Sequence, residues 1–336
     1  LAGACYSADD WISLFDGSTL VGWKASESES SWKVEDGAIV TNGKRSHLFY
    51  VGDVENHNFK NFEFSADVKT MKGSNSGIYL HTEFQKKGWP AKGYECQVIN
   101  SHHPKPKGAY VEGKMTGSIY AIRNVWKAPA GDNVWFNYRI VVQGRTIQTF
   151  IDGVPTAEYT EPKSVNRPKN LKGRVLSSGT FAFQCHDPKS VVYYKNIKVK
   201  PMAGDLPTPG QALADTEFDQ TLIELSARNF PLVDLHVHLK GGLTIEQALV
   251  TARKYGYSYG VAVNCGLNFP INNDESLRNY LKENKKPKQA FFAMQAEGRE
   301  WLNLFSKEAI AEFDYVFTDA MTWTNDNGKR MRLWMP

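Results

Sequence analysis

Two short segments combine polar residues that can move protons or hold hydroxyl groups with the alternating pattern of β-strands. The segments are NSGIYLH, residues 75–81, and GYECQVIN, residues 93–100. Side chains at i and i+2 of a strand share one face, so Tyr79 and His81 are predicted together, as are Glu95 and Gln97. Because polar residues such as Asn and Glu are depleted in strands, this pattern indicates a binding or catalytic face. A solvated outer face is the alternative.

A second group of polar residues lies in the C-terminal part of the sequence. In DLHVHL, His236 and His238 are two residues apart, so a strand would aim both imidazoles to one side. Polar residues also end three later predicted strands, namely Asn264, Gln295, Glu297 and Asp319. Imidazole and carboxylate groups are ligands for divalent metal ions. The candidate metal ligands are therefore His236, His238, Glu297 and Asp319.

The first group of polar residues must be positioned by a β domain. Residues 11–200 contain short alternating segments, such as SWKVEDGAIV, FNYRIVVQG and GTFAFQCH, separated by Gly, Asp and Asn. Asp36-Gly37 and Asp152-Gly153 supply the left-handed backbone conformations that tight hairpins need. About a dozen strands over this length favour a two-sheet sandwich.

The second group requires a different architecture. Segment 201–215 has three Pro and two Gly and is predicted to be a linker. Beyond it the apolar period changes from two to 3.6, and Thr244 with Gln247 forms a capping box. The predicted strands VDLHVHL, YGVAVNCG, AFFAMQAEG and YVFTDAMT alternate with helices around 274–284 and 300–313. Four strands amount to half of a closed barrel, so residues 216–336 are predicted to form a partial (β/α) barrel.

Composition excludes several classes of protein. The chain of 336 residues is longer than one ordinary core supports, which favours two domains. A net charge of +4 without a dense basic cluster argues against a nucleic-acid partner, and no apolar run is long enough for a transmembrane segment. The 9 Trp, 15 Tyr and 18 Phe supply rings that build β cores and stack on sugars. We therefore expect a carbohydrate partner and no nucleotide cofactor; the oligomeric state is left open.

The N-terminal residues suggest export. LAGAC resembles the end of a signal peptide, with Cys5 where a bacterial lipoprotein cysteine would stand. Residues 1–10 are therefore predicted to be a remnant of an export signal or an N-terminal tail. The expected location is secreted, periplasmic or lipid-anchored at the bacterial cell envelope.

Several ordered motifs in residues 11–200 resemble one family. They are LFDGSTLVGW, WKVEDGAIV, NFEFSADVKT, NSGIYLH, GYECQVIN, TGSIY and YKNIKVK. Together they resemble the 3-keto-disaccharide hydrolase domain. The resemblance implies a mostly β fold, a concanavalin-A-like jelly-roll sandwich, and a hydrolase or lyase acting on glycosides oxidised to a ketone at C3.

The implied chemistry assigns roles to the polar strand residues. A ketone at C3 acidifies the C2 proton, so a base can form an enolate that expels the C1 substituent. Glu95 is the candidate base, and His81 is the candidate proton donor or metal ligand. The candidate substrate-binding residues are Asn75, Tyr79, Gln97, Gln184, His186 and Trp135. A divalent metal ion could stabilise the enolate as a Lewis acid.

An alternative function assigns the chemistry to residues 216–336. The segment DLHVHLKGG resembles the start of PHP and amidohydrolase-like metal-dependent hydrolases. The sandwich would then be a carbohydrate-binding module, with Trp23, Trp89, Trp126 and Trp135 as stacking platforms. All eight histidines lie at or before His238, so the later histidines of a PHP metal cluster are missing. Two alternatives remain for these residues: a degenerate or truncated metal site, or a working site that binds one or two metal ions.

Overall fold

The structure is a computed structural model that describes residues 11–212, 216–284, 286–319 and 322–332; the side chains at 216, 319, 322 and 332 lie outside the description. The predicted lipoprotein residue Cys5 also lies outside the described residues. Contacts divide the chain into two compact units, one of Leu1–Leu232 with Ala252–Tyr257 and one of Val233–Thr251 with Ser258–Pro336. None of the described helices is long and apolar enough to cross a membrane.

The first unit contains a sandwich of two antiparallel sheets, as the alternating pattern predicts. One sheet has eight strands in the order β11-β10-β9-β6-β13-β4-β3, with β1 also paired to β13. These strands are β1 (Ile12–Ser13), β3 (Trp32–Glu35), β4 (Ala38–Asn42), β6 (Asn61–Thr70), β9 (Phe136–Gln143), β10 (Thr146–Ile151), β11 (Val154–Thr160) and β13 (Val191–Met202). The second sheet has five strands in the order β2-β5-β12-β7-β8, namely β2 (Trp23–Ala25), β5 (Ser46–Tyr50), β7 (Asn75–Thr82), β8 (Tyr94–Ile99) and β12 (Thr180–Cys185).

Local chemistry explains the hairpins. Asp36-Gly37 joins β3 to β4 and Asp152-Gly153 joins β10 to β11, as predicted, with positive φ at all four residues. Buried and half-buried residues alternate along β9, which covers the core on one face only. Three short 3₁₀ helices, Glu29–Ser31, Val54–His57 and Lys169–Leu171, lie in the connections.

The five-stranded sheet departs from simple alternation because both of its faces are covered. Nearly every residue of β5, β7, β8 and β12 is buried. On the inner face, Leu48, Ile78 and Phe183 pack in the large core between the sheets. On the outer face, connecting segments cover polar side chains. A buried polar face is the exception in a sandwich, and it locates the candidate site.

The segment after the sandwich extends the first unit. β13 continues to Met202, two residues into the predicted linker, and α1 (Thr216–Ala227) clusters with the sandwich. Asp219 of α1 forms a buried ion pair with Arg123. The sequence-based domain boundaries at 200 and 216 remain predictions.

The second unit contains the four predicted parallel strands in the order β14-β15-β16-β17. They are β14 (Val233–Val237), β15 (Ser258–Cys265), β16 (Phe291–Glu297) and β17 (Tyr315–Asp319). The helices after β14 are α2 (Ile245–Tyr255), of which residues up to Thr251 belong to this unit, α3 (Asp274–Glu283), α4 (Trp301–Leu304) and α5 (Lys307–Ile310). β18 (Thr322–Thr324) pairs with β19 (Arg330–Arg332). Thr244 and Gln247 exchange side-chain hydrogen bonds with each other's backbone N–H, as a capping box requires. The described parallel strands form a four-stranded sheet, and their membership of a barrel remains a prediction.

Candidate active site

Strand register aligns polar residues across the outer face of the five-stranded sheet. His47 of β5 lies opposite Gln184 of β12, and Gly77 of β7 lies opposite Gln97 of β8. Continuing the β7–β12 register by one residue brings Gln184 beside Gly77. We call His47, Gln184, Gly77 and Gln97 the polar row. The adjacent row on this face contains Tyr79 opposite Glu95.

Four residues of these rows, Tyr79, Glu95, Gln97 and Gln184, form the floor of a cavity of about 240 Å³, whereas His47 and Gly77 do not line it. Its lining combines floor residues with residues from the connecting segments: Asn75, Tyr79, Trp89, Glu95, Gln97, Glu112, Tyr120, Asn170, Leu171, Arg174, Gln184 and His186. Seven of the residues proposed from the sequence therefore line one cavity, namely Asn75, Tyr79, Trp89, Glu95, Gln97, Gln184 and His186.

Glu95 is the most deeply placed carboxyl group of the cavity, and its residue is only 5% exposed. Its Oε1 accepts a hydrogen bond of 2.7 Å from Gln184 Nε2, and its Oε2 lies 3.5 Å from Arg174 Nη2. Burial raises the pKa of Glu95, while the positive charge of Arg174 opposes the rise. A carboxylate whose pKa is raised toward neutrality is suited to accept a proton in catalysis.

Arg174 is the cationic group beside Glu95. Its Nη1 donates to the carbonyl of Gly93 at 3.0 Å, and its guanidinium carbon lies 5.3 Å from the ring centroid of Tyr79. Burial raises the pKa of Tyr79 well above its ordinary value, so the phenol stays protonated and can donate a hydrogen bond. Arg174 comes from an irregular segment without alternation, so no strand pattern could have indicated it.

His186 and Trp89 line the cavity together. The ring centroids of the two residues lie 5.3 Å apart, and His186 Nδ1 is 2.7 Å from Asp187 Oδ2. Burial opposes ionisation of Asp187, but its hydrogen bonds, including that with His186, hold its pKa below the ordinary value. An ionised Asp187 accepts a hydrogen bond from Nδ1–H of His186, which leaves Nε2 of that ring for a ligand.

A second carboxyl group, Glu112, belongs to a polar cluster that sequence reasoning missed. Lys114 Nζ donates to Glu112 Oε1 at 2.7 Å, and Tyr120 Oη donates to Oε2 at 3.0 Å. Although burial would raise the pKa of Glu112, the charge and hydrogen bonds of Lys114 hold it below the ordinary value. The environment of Glu112 therefore favours the ionised carboxylate, whereas burial shifts the pKa of Glu95 in the opposite direction.

His81 does not share the cavity, and the sequence-based placement beside Tyr79 is wrong. The pairing of β7 with β12 is irregular between Thr180 and Ala182, and His81 itself has a φ of 53°. This bulge breaks the i, i+2 rule. The buried His81 ring lies at 2.9 Å from the carbonyl of Lys60 through Nε2 and accepts from Ser177 N through Nδ1 at 3.2 Å. Burial lowers the pKa of His81 to about 4, so the ring is neutral.

Trp135 also lies away from this cavity. It directly precedes β9 of the eight-stranded sheet. The ammonium groups of Lys69 and Lys195 lie 4.9 and 4.1 Å from its ring. The structure therefore does not bring Trp135 into this cavity, and its contact with a substrate stays a prediction.

The second unit brings together part of the predicted metal cluster. His236 Nε2 lies 3.1 Å from His238 Nε2 and 2.9 Å from Gln295 Oε1. Glu297 Oε1 instead accepts from Asn264 and Gln295, at 2.6 and 2.9 Å. The Asp319 side chain lies outside the description, and the described residues contain no group of three His, Cys, Asp or Glu arranged to hold a metal. Two imidazoles and one amide oxygen do not complete a metal site, so we derive no reaction step from them.

Comparisons with known proteins agree with the sandwich. A 3-keto-disaccharide hydrolase of Bacteroides thetaiotaomicron is 34% identical over 131 residues, which cover 34% of this chain and 45% of that relative. The chain thus matches less than half of that relative's length. A crystal structure of a provisionally named glycosyl hydrolase from Parabacteroides distasonis superposes with a TM-score of 0.50 at 24% identity, and covers 58% of this chain and 95% of that one. A second structure from the same organism has a TM-score of 0.45 at 22% identity, and the match covers 58% of this chain and 100% of that one.

The family comparison covers more than half of the chain. The model of the 3-keto-alpha-glucoside-1,2-lyase-like domain matches residues 10–200, which contain the cavity and every residue that lines it. The chain therefore belongs to the 3-keto-alpha-glucoside-1,2-lyase-like domain family.

Proposed function

We propose that the cavity cleaves glycosides that carry a ketone at C3, by removal of the C2 proton and loss of the C1 substituent. The observation that carries this proposal is the placement of Glu95, a buried carboxyl group with a raised pKa, beside the cation Arg174 in a cavity of sugar-binding residue types. The family of the chain supports the substrate class.

The proposed reaction divides into two steps. Glu95 takes the proton from C2, and the electron pair of that C–H bond moves into an enolate whose negative charge lies on the C3 oxygen. When the enolate collapses, a C1–C2 double bond forms, the C1–O bond breaks, and the leaving oxygen takes a proton. Addition of water to the double bond, with OH at C1 and H at C2, gives net hydrolysis; without it the reaction is an elimination.

The cavity offers groups for the charges that develop. Arg174 and the protonated Tyr79 are donors near Glu95 and are proposed to stabilise the enolate oxygen. His186, whose Nδ1 is paired with Asp187, is proposed to protonate the leaving oxygen in place of His81. Asn75 and Gln97, joined by a hydrogen bond of 3.2 Å, are proposed to hold hydroxyl groups.

Cavity size supports a single sugar ring. A volume of about 240 Å³ is below the roughly 300 Å³ at which pockets for drug-sized ligands begin. One ring would occupy the cavity, and the leaving group would lie at the mouth. Trp89, which is 43% exposed, offers an aromatic surface at this point.

Replacement of Glu95 tests the proposal. Glu95→Gln keeps the shape and the Gln184 contact but cannot accept the proton, so cleavage of a methyl 3-keto-glucoside should fall by about 1,000-fold or more. Glu158→Gln is the matched control, because Glu158 pairs with Gln148 on the eight-stranded sheet. Cleavage by Glu95→Gln at the rate of the unchanged protein would refute the proposal.

The alternative function keeps the sandwich as a carbohydrate-binding module and assigns catalysis to a metal in the second unit. The facing imidazoles of His236 and His238 favour it. Elemental analysis of the purified full chain, with and without His236→Ala, tests this alternative. A stoichiometric divalent metal that is lost in the variant, together with sugar binding and no cleavage by the sandwich, would support the alternative over the enolate route.

A further inference from the structure

His47 is a buried histidine whose ring nitrogens have no partner. The residue is 0% exposed, and neither Nδ1 nor Nε2 has a hydrogen-bond partner among the described residues. Desolvation lowers the pKa of His47 to about 3, so the ring is neutral. A buried polar group without a partner lowers the stability of a protein by about 1–3 kcal/mol. Stability therefore does not explain why a histidine stands at position 47 of the five-stranded sheet.

The same condition recurs along the polar row. The amide oxygens of Gln184 and Gln97 are also buried without a partner among the described residues, although both side chains line the cavity. Gln184 lies directly opposite His47, so the two side chains leave the sheet on the same face. Unpartnered acceptors on three strands of one row are the arrangement expected where a ligand supplies the missing donors.

Trp89 separates His47 from solvent. The two ring centroids lie 5.5 Å apart at an interplanar angle of 79°, and Tyr79 packs against another side of His47 at 5.5 Å. Trp89 is 43% exposed, and its ring also lies 5.2 Å from the Arg45 guanidinium carbon and 5.3 Å from the His186 ring centroid. Trp89 lies in the connection between β7 and β8, so its side chain is not held by strand pairing.

We propose that His47 is a specificity-determining residue of the cavity, which hydrogen-bonds a hydroxyl group of the sugar together with Gln184 and Gln97 once the Trp89 side chain turns away. This inference rests on the proposed function and adds His47 as the residue that recognises a hydroxyl group of the sugar. A neutral imidazole can donate through one nitrogen and accept through the other, which matches a hydroxyl. A site built to bond a hydroxyl rejects sugars that lack it more strongly than an apolar pocket would.

The structural and binding roles of His47 predict opposite effects of substitution. In the Glu95→Gln background, His47→Phe should raise the Kd for methyl 3-keto-glucoside by about tenfold, the equivalent of one hydrogen bond. The melting temperature of the free protein should stay level or rise, because an unpartnered polar group is removed. His47→Gln, which restores a donor and an acceptor, should recover part of the affinity.

A chemical probe tests the cover formed by Trp89. Diethyl pyrocarbonate acylates neutral imidazoles, and mass spectrometry of the treated protein reports each histidine. His57 is exposed and serves as the fast reference, whereas His81 is buried with both nitrogens bonded and serves as the slow one. Trp89→Ala should bring the rate at His47 toward that of His57, and the sugar should slow it.

The outcomes separate this inference from the proposed function. An unchanged Kd with a lower melting temperature in His47→Phe, or no effect of Trp89→Ala on acylation, would overturn the inference while cleavage by the unchanged protein stood. Sugar binding that depends on His47 without any cleavage would overturn the proposed function alone. No binding of methyl 3-keto-glucoside by the Glu95→Gln protein would overturn both.

Discussion

The carboxyl group of Glu95 occupies the space that the missing side chain of Gly77 leaves free. A Cβ built on Gly77 would lie 2.6 Å from Glu95 Oε1 and 3.1 Å from its Cγ. Gly77 has no positive φ, so the requirement for glycine at this position is one of space rather than of backbone conformation. The absence of a side chain in the middle of the polar row lets Glu95 lie against the floor and bond Gln184.

Gly77→Ala should therefore impair catalysis more than folding. The added methyl group pushes the carboxyl group out of its position, and displacement of a catalytic group by about 1 Å costs about 100-fold in rate. Cleavage of a 3-keto-glucoside should fall by this order while the chain stays folded by circular dichroism. Gly131→Ala is the control, because its Cβ would make only an ordinary contact of 3.7 Å with Val134. Equal activity of the two variants would contradict the proposed position of Glu95.

Arg174 should set the pH range in which Glu95 acts as a base. The positive charge of Arg174 opposes the rise that burial causes in the pKa of Glu95, so Arg174→Gln raises this pKa further. The base must be ionised, and the acid limb of kcat/KM should therefore move to higher pH. Arg174→Lys retains a charge and should shift the limb less. Identical acid limbs in the unchanged protein and in Arg174→Gln would show that Glu95 is not the titrating base.

His81 should contribute to stability rather than to cleavage. In the unfolded chain histidine titrates near 6.5, whereas burial lowers the pKa of the folded His81 to about 4. The unfolded state therefore binds more protons between these values, and the free energy of unfolding falls as pH drops from about 6.5 to 4. His81→Asn tolerates the positive φ. In urea unfolding, His81→Asn should lower the free energy of unfolding by about 1–3 kcal/mol at neutral pH. The free energy of unfolding of this variant should also depend less on pH between about 6.5 and 4.

Activity distinguishes this role from the one expected from the sequence. Because His81 lies outside the cavity, His81→Asn should leave kcat/KM nearly unchanged once the protein is folded. A loss of kcat in a stable His81→Asn protein would restore His81 as a proton donor.

Alternation and turn chemistry predict much of the sandwich. The hairpins at Asp36-Gly37 and Asp152-Gly153, and the shared face of Glu95 and Gln97, follow from local rules that the structure obeys. The rule failed at His81, because a β-bulge depends on pairing with β12, which is more than 90 residues away in sequence. Nothing local to NSGIYLH marks that irregularity.

Several residues that complete the cavity come from segments between the strands and could not be predicted. Arg174 and Glu112 reach the site through loops whose course depends on tertiary packing rather than on a period. His47 was missed for a different reason. It lies in a strand, but only its register with Gln184 reveals that it belongs to the polar row. To include His47 in the site, one must know which distant strands pair and in what register, and the sequence pattern of a single strand does not contain that information.

Deuterium exchange tests the central claim most directly. The full chain and its Glu95→Gln variant are incubated with a 3-keto-glucoside in heavy water, and deuterium at C2 of recovered substrate and hydrolysis product is measured. Proton removal by Glu95 predicts deuterium at C2 with the unchanged protein and its loss with the variant. Cleavage by the unchanged protein without deuterium at C2 would contradict the enolate route and indicate direct hydrolysis, for which Glu95 and Glu112 are the two carboxyl groups of the cavity.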